Sequence, residues 1–313
     1  MKPRSYGTAA AFKAALDQRL RQVAGTGADI TRRRQLLVFD RYLARLGVVL
    51  GEAATLKGGL VLEVRLERAR TTRDIDLRLA GSPDGLLGRL QEAGRLDLGD
   101  FMTFELRAHA RHPEIAGPGV QYEGQRFRAE CRLAGVLYGQ AFGVDVAFGD
   151  PMLGEPEVVR GDDLLAFAGI EPAVMRLYPV ETHIAEKLHA YTLPRPTPST
   201  RVKDLPDLAL LGQVGERDAA RMRAAIQQTF SYRRTHAAPA RLPDPPAAWE
   251  RPYAEMAKED QLPWPTLAAV TEAARAFLDS VLAEERDGHW NATEWTWRWR
   301  PPAPPPSGSF RPE

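Results

Sequence analysis

The sequence predicts an α/β (α+β) protein. A mixed-sheet domain takes about residues 1–170, a helical domain about 171–300, and a disordered tail 301–313. Three observations predict this. Between Glu52 and Phe148, short runs of alternating apolar residues are punctuated by Gly, Pro and Asp turns and by two helical stretches, the pattern of a sheet with covering helices. After Gly149 the apolar residues recur at three-to-four spacing instead. The chain then ends in PPAPPPSGSFRPE, a composition without the apolar residues needed to pack.

The elements follow in order. Residues 8–23 and 29–46 read as helices; in the second, Leu36, Leu37, Phe39, Tyr42, Leu43 and Leu46 form an apolar face, and Gly47 is expected to stop it. Arg32, Arg33, Arg34, Arg41 and Arg45 ride on that helix. Such a run is usually a solvated face, and the functional alternative is a contact for an anionic partner. Glu52–Leu56 should be a strand, Gly58-Gly59 a turn, and Leu60–Glu67 a short helix. Arg73–Leu79 is the next strand, GSPD (81–84) opens a helix to about Gly94, and Met102–Ala108, Gln125–Val136 and Tyr138–Phe148 are further strands. Beyond them, Pro179–Tyr191 is a helix, LPRPTPST (193–200) a loop, and RVKDLPDLALLG (201–212) a helix with Asp204 as N-cap and Gly212 as stop. Helices over about Glu216–Phe230 and Thr266–Glu285 flank a proline-rich connection at 241–252. Trp295, Trp297 and Trp299, at period two, suggest a short strand or docking segment.

Composition excludes several classes of function. The 42 basic and 41 acidic residues give a net charge of +1, so any nucleic-acid surface must be local. A single cysteine, Cys131, leaves no intrachain disulfide and no CxxC zinc site, and it reads as a core residue. His183 and His189 are six apart and miss the spacing of a helical zinc pair. No apolar run reaches the roughly 18 residues of a membrane span, and MKPRSYGTAAAFKAAL lacks a signal-peptide core, so a cytoplasmic protein is expected. Neither GxxxxGK[ST] nor GxGxxG occurs, which argues against a P-loop or Rossmann nucleotide site.

Chemistry concentrates in LKGGLVLEVRLERARTTRDIDLRL, Leu56–Leu79. Asp74 and Asp76 share one face of a strand, because side chains alternate with period two, while Ile75 and Leu77 point to the core. Adjacent carboxylates repel unless a cation lies between them. Mg²⁺ (or Mn²⁺) suits, since it takes oxygen ligands and retains room for waters and phosphate oxygens. Gly58 and Gly59 at a strand-to-helix turn would let a phosphate approach the backbone. In GVDVAFGD, Asp145 lies between Val144 and Val146; alone it would be a solvent-facing strand residue, but beside the aspartate pair it is better read as a third carboxylate of one site.

LKGG, RARTTRDIDL (Arg68–Leu77), VDVAFGD, ETHIAEKLHA and RVKDLPDL, in that order, resemble the AbiEii/AbiGii nucleotidyltransferase toxin family, within the polymerase-beta-like nucleotidyltransferases that include the MenT toxins. The matching segments span Leu56–Leu208. The resemblance implies transfer of a nucleotide from an NTP with a divalent metal, by a toxin of a toxin–antitoxin or phage-defence pair, most readily to the 3′ end of tRNA. It also implies a cognate antitoxin partner and no membrane. In some relatives a kinase-like antitoxin phosphorylates an active-site serine, whose position falls on Thr72; a threonine keeps the hydroxyl but is stiffer at χ1.

The roles implied are these. Asp74 and Asp76 hold both metals, and Asp145 holds the catalytic metal and helps deprotonate the attacking hydroxyl. Gly58 and Gly59 cradle the triphosphate, Thr72 hydrogen bonds to it, and Lys57 and Lys187 offset the growing phosphate charge. Asp204 positions Lys187, the base or the ribose, with Asp207 as the runner-up. Without the family, Lys187 would be an ordinary exposed helix lysine and Arg201 and Lys203 surface charges. Two other functions stay open: nucleotidylation of a protein hydroxyl, and a non-catalytic nucleotide-binding regulatory subunit.

Overall fold

The computed structural model describes residues 4–66, 69–115, 124–195, 199–283 and 286–300. Glu67 and Arg68, part of the loop at 196–198, the end of the helix expected to reach Glu285, and the tail 301–313 lie outside the described residues. The chain forms two compact units: one of Met1–Pro179 with Met256–Leu262, the other of Val180–Glu255 with Pro263–Glu313.

The first unit opens with α1 (Ala9–Val23) and α2 (Gly27–Leu50). Thr8 caps α1 by accepting from the Ala11 N–H, and Phe12, Leu16 and Leu20 give it a fully buried stripe at four-residue spacing. A capping box between Thr26 and Asp29 starts α2. Gly47 does not end α2, contrary to expectation. Buried Leu50 rewards one more turn, and the helix stops at Gly51, whose φ of 54° places it in the left-handed region. Nor are all its arginines solvated or free for an anionic partner. Arg41 and Arg45 are buried on Asp100, with Arg45 Nη2 2.6 Å and Arg41 Nε 2.7 Å from its carboxylate.

The strands β1 (Ala54–Lys57), β2 (Asp74–Leu79), β3 (Met102–Ala108), β4 (Gly124–Leu133), β5 (Val136–Leu137), β6 (Phe142–Phe148), β7 (Glu157–Arg160) and β8 (Val174–Leu177) form one mixed sheet among the described residues. Its order is β3-β4-β6-β2-β1-β8-β7, with β5 on β4. β2 runs parallel to β6 and antiparallel to β1. Between strands lie α3 (Gly59–Arg65) and α4 (Leu86–Arg95). The sheet has one apolar face, where Ile75, Leu77, Phe127, Cys131, Val144 and Val146 pack with α2 residues Phe39, Tyr42 and Leu46 in one core. The opposite face carries the polar residues of the same strands. This is the mixed-sheet α/β architecture expected; β7 and β8, four residues each, are too short to have signalled themselves.

The second unit contains α5 (Val180–Thr192), α6 (Asp204–Leu211), β9 (Arg217–Asp218), α7 (Ala219–Arg233), most of α8 (Glu250–Glu259), α9 (Leu267–Ala283), β10 (Gly288–Asn291) and β11 (Thr296–Trp299). α5, α6, α7 and α9 pack on one another. The proline-rich connection does carry a helix, α8, which the sequence reading missed. Trp297 and Trp299 lie on a strand while Trp295, at φ 53°, sits in the turn before it: β11 pairs with β10 in a hairpin, Trp290 opposite Trp297, and Trp290 donates to the Gly212 carbonyl at 2.8 Å. Among the described residues, no helix is long and apolar enough to cross a membrane.

Candidate functional site

The polar face of the first unit's sheet is laid out by strand register. One row across it reads Lys57, Asp76, Asp145, Arg126, each residue directly opposite the next. The adjoining row reads Asp74, Gly143, Arg128, Arg107. Directly opposed residues share a face, so Asp74, Asp76 and Asp145 lie together on neighbouring parallel strands.

Two glycines make room for the carboxylates. Gly58 has φ 71°, and a Cβ there would stand 1.9 Å from Asp76 Oδ2. A Cβ on Gly143 would stand 2.5 Å from Asp74 Oδ1, which instead accepts the Gly143 N–H at 3.0 Å. Both positions therefore require glycine for the aspartates to sit where they do. Gly59 opens α3 and is buried.

Asp145 is the most constrained of the three. Burial pushes its carboxyl above the ordinary carboxylate range; Arg126, whose Nε lies 3.1 Å from Asp145 Oδ2, pulls the other way, and nearby Asp74 raises it again. The three carboxylates offer an all-oxygen donor set of the kind Mg²⁺ or Mn²⁺ takes. As placed, Asp145 is turned to Arg126 and Asp74 to Gly143, and among the described residues no three such side chains are gathered for a metal. The donor chemistry, three carboxylates on one sheet face, fits a divalent ion.

The remaining expected residues fall in two places. Lys57 is buried, with Nζ 2.7 Å from Asp150 Oδ2 and 5.3 Å from the centre of the Tyr178 ring, so its charge is already matched within the fold. Thr72 is buried; its N–H donates to Glu63 Oε1 at 2.6 Å and its hydroxyl faces the Asp74 carbonyl at 3.4 Å. Glu63 also binds Arg32, and Arg32 binds the Ala69 carbonyl, which ties down the loop leading into β2. Lys187 and Asp204 belong to the second unit. There Lys187 Nζ lies 2.7 Å from Asp207 and 3.2 Å from Asp204, both buried, and Arg201 also pairs with Asp204. Burial alone would raise the Asp204 carboxyl, but Lys187 and Arg201 outweigh it and hold it below the ordinary range. Asp204 is not the N-cap of α6; it is the first residue of the helix, because its carboxylate is committed to these two cations.

Sequence reasoning missed Arg126, Glu63 and Asp150. Arg126 had a signal: in QRFRAECRL the arginines alternate with apolar residues, so they share the face that Asp145 occupies once the strands pair. Glu63 and Asp150 had none, since each meets its partner only through tertiary packing.

A family model described as nucleotidyl transferase AbiEii toxin, of type IV toxin–antitoxin systems, matches residues 41–299. No curated protein matches the chain by sequence. Among solved structures, the chain is similar to MenT4, a nucleotidyltransferase toxin from Mycobacterium tuberculosis, at 16% identity and TM-score 0.48, covering 87% of this chain and 98% of that one. It is also similar to JHP933 from Helicobacter pylori, at 14% identity and TM-score 0.43, covering 80% and 93%.

Proposed function

The chain belongs to the AbiEii nucleotidyl transferase toxin family of type IV toxin–antitoxin systems, and from that footing we propose that it transfers a nucleoside monophosphate from an NTP to the 3′ end of tRNA in the cytoplasm. Membership makes it a nucleotidyltransferase with an antitoxin counterpart. The observation that carries the reading is the register of Asp76 against Asp145, with Asp74 one step away and Gly58 leaving room for the Asp76 carboxylate.

In this proposal Asp74, Asp76 and Asp145 hold the divalent metals, which when bound supply charge stabilisation to the attacking and leaving oxygens. Asp145, as its carboxylate, accepts the proton of the attacking 3′-hydroxyl. The Gly58–Gly59 turn, beside Asp76, receives the triphosphate. Thr72, anchored by Glu63, presents its hydroxyl toward the same turn. Lys57, fixed by its ion pair with Asp150 at the end of β1, is a phosphate contact whose charge Asp150 largely offsets. Lys187, which the family resemblance makes a counter-charge to phosphate, is held within the second unit by Asp207 and Asp204.

The test is a transfer assay with Mg²⁺, each α-labelled NTP in turn, and total tRNA, beside Asp76→Ala. Label on RNA with the wild type alone is the expected outcome, with Asp76→Ala still folded and at least about 10³-fold slower, a loss of roughly 4 kcal/mol of transition-state stabilisation. Equal labelling by wild type and variant would refute the catalytic assignment. Label on protein alone would redirect the acceptor to a protein hydroxyl.

A further inference from the structure

The carboxylate cluster does not stand alone on its sheet face. Beyond it, on β4 and β3, lies a group of arginines that the reading above leaves without a task. Arg126 and Arg128 are two apart on β4 and so share the face of Asp145. Arg107 of β3 is directly opposite Arg128. Like charges directly opposite on a ladder repel and destabilise the pair. Arg128 has no hydrogen-bond or ion-pair partner among the described residues, and the Arg107 side chain is 72% exposed, with only a 3.3 Å contact to Glu130. Two residues along the same face, Glu105 stands directly opposite Glu130, so the positive stretch is local, made of Arg126, Arg128 and Arg107 at the end of the strands beside Asp145.

Strand order gives the cluster its meaning. Across the sheet the sequence of strands is β1, β2, β6, β4, β3. The glycine turn lies at the end of β1, the carboxylates on β2 and β6, and the arginines on β4 and β3. A triphosphate on the glycine side leaves the arginines on the far side of the carboxylates, where the second substrate must enter. We propose that Arg126, Arg128 and Arg107 form a track for the phosphate backbone of a single-stranded RNA end, which delivers its terminal hydroxyl to Asp145 from the β4 side. This inference rests on the nucleotidyl-transfer reading for the position of the NTP. Arginine suits the task because its fork binds phosphate oxygens in pairs and stays charged. An RNA strand is favoured over a protein acceptor because its regularly repeated charges can engage several arginines of the row at once.

The experiment uses the full chain and two probes, a short labelled single-stranded RNA and a labelled tRNA, titrated over a range of salt. Arg128→Ala and Arg107→Ala are compared with wild type and with Arg132→Ala, whose guanidinium is already paired with Glu105 at the other end of the strands. Thermal unfolding confirms that each variant folds, and Arg128→Lys, which keeps the charge, is a rescue. Each Ala variant on the track is expected to weaken RNA binding about fivefold at about 0.1 M salt and to flatten the log–log salt slope by about 0.7, the values for one lost phosphate contact on a single strand. NTP binding stays unchanged, Arg132→Ala stays near wild type, and Arg128→Lys keeps the wild-type salt slope while binding RNA between wild type and Arg128→Ala. Unchanged RNA affinity and salt slope in both Ala variants overturn the proposal. Loss of NTP affinity in place of RNA affinity also overturns it, and makes the arginines a triphosphate site. If wild type binds no RNA yet labels protein in the transfer assay, the RNA track fails while nucleotidyl transfer stands.

Discussion

At the scale of the residue, the carboxylate cluster depends on what two glycines lack. Gly58 must take a positive φ and must also leave space for Asp76 Oδ2, which a Cβ would approach to 1.9 Å. Alanine there is expected to swing Asp76 out of the row it shares with Asp145, and displacement by about 1 Å is enough to cost ~10²-fold in rate. Transfer by Gly58→Ala should fall by at least that factor, with the unfolding midpoint shifted only modestly; a variant as active as wild type would remove Gly58 from the site. The aspartates themselves were legible in the sequence, because period-two alternation is a local property. Their present partners were not: alternation puts Arg126 on a strand face, but which strand pairs with β6, and so Arg126 beside Asp145 and Asp150 beside Lys57, is set only by the packed sheet.

Among the elements, α2 shows how local reading can invert. Its five arginines carry the same charge, yet Arg41 and Arg45 are sealed inside with Asp100 while Arg32 and Arg34 reach Glu63 and Asp17. Burial raises the Asp100 carboxyl, but the hydrogen bonds and charges of Arg45 and Arg41 prevail and leave it below the ordinary range. The Asp100 carboxylate also accepts the Met102 N–H at 3.0 Å, so the same group fixes the start of β3. Asp100→Ala is therefore expected to destabilise the first unit by about 3–5 kcal/mol, since it strands two buried cations. Denaturant unfolding followed by circular dichroism checks this, and a loss below ~1 kcal/mol would mean the arginines find water instead. The Trp hairpin was legible as a strand from its period of two. The helix α8 was not, because Pro252 falls in its first turn, where a proline is tolerated although it reads as a break.

For the whole molecule, the two units should respond differently to acid. In the first, Asp100 contributes stability that is present above its unfolded value near 3.9 and lost only as pH falls through its lower folded value. Asp145, Glu63 and Asp40, all raised chiefly by burial, act in the opposite sense and are relieved as pH falls. In the second unit His189 is buried against Phe230 and His236, with its Nε2 2.7 Å from the Thr235 hydroxyl. Burial first, then Arg233 and His236, lower its pKa to about 3. A histidine lowered on folding contributes stability in full above its unfolded value near 6.5 and loses it progressively as pH falls toward about 3. The unfolding of the second unit, read by tryptophan fluorescence, should thus weaken steadily between about pH 7 and pH 4, and His189→Asn should flatten that slope. An identical slope in the variant would assign the acid sensitivity elsewhere.

The sequence by itself determined the fold class, the strand that carries Asp74 and Asp76, the strand of Asp145, the glycine turn and the helices α5, α6, α7 and α9, and through its motifs the family resemblance. Each of these is written in short-range periodicity or in turn chemistry, which act over a few residues. Only the tertiary structure decided that Asp76 and Asp145 are register partners, that Lys57 is held by Asp150 and Lys187 by Asp207, and that Arg126, Arg128 and Arg107 gather beside the carboxylates. Strand pairing and burial bring those groups together from distant parts of the chain. A charge's partner is fixed by which strands become neighbours, a property of the packed sheet that no local stretch contains.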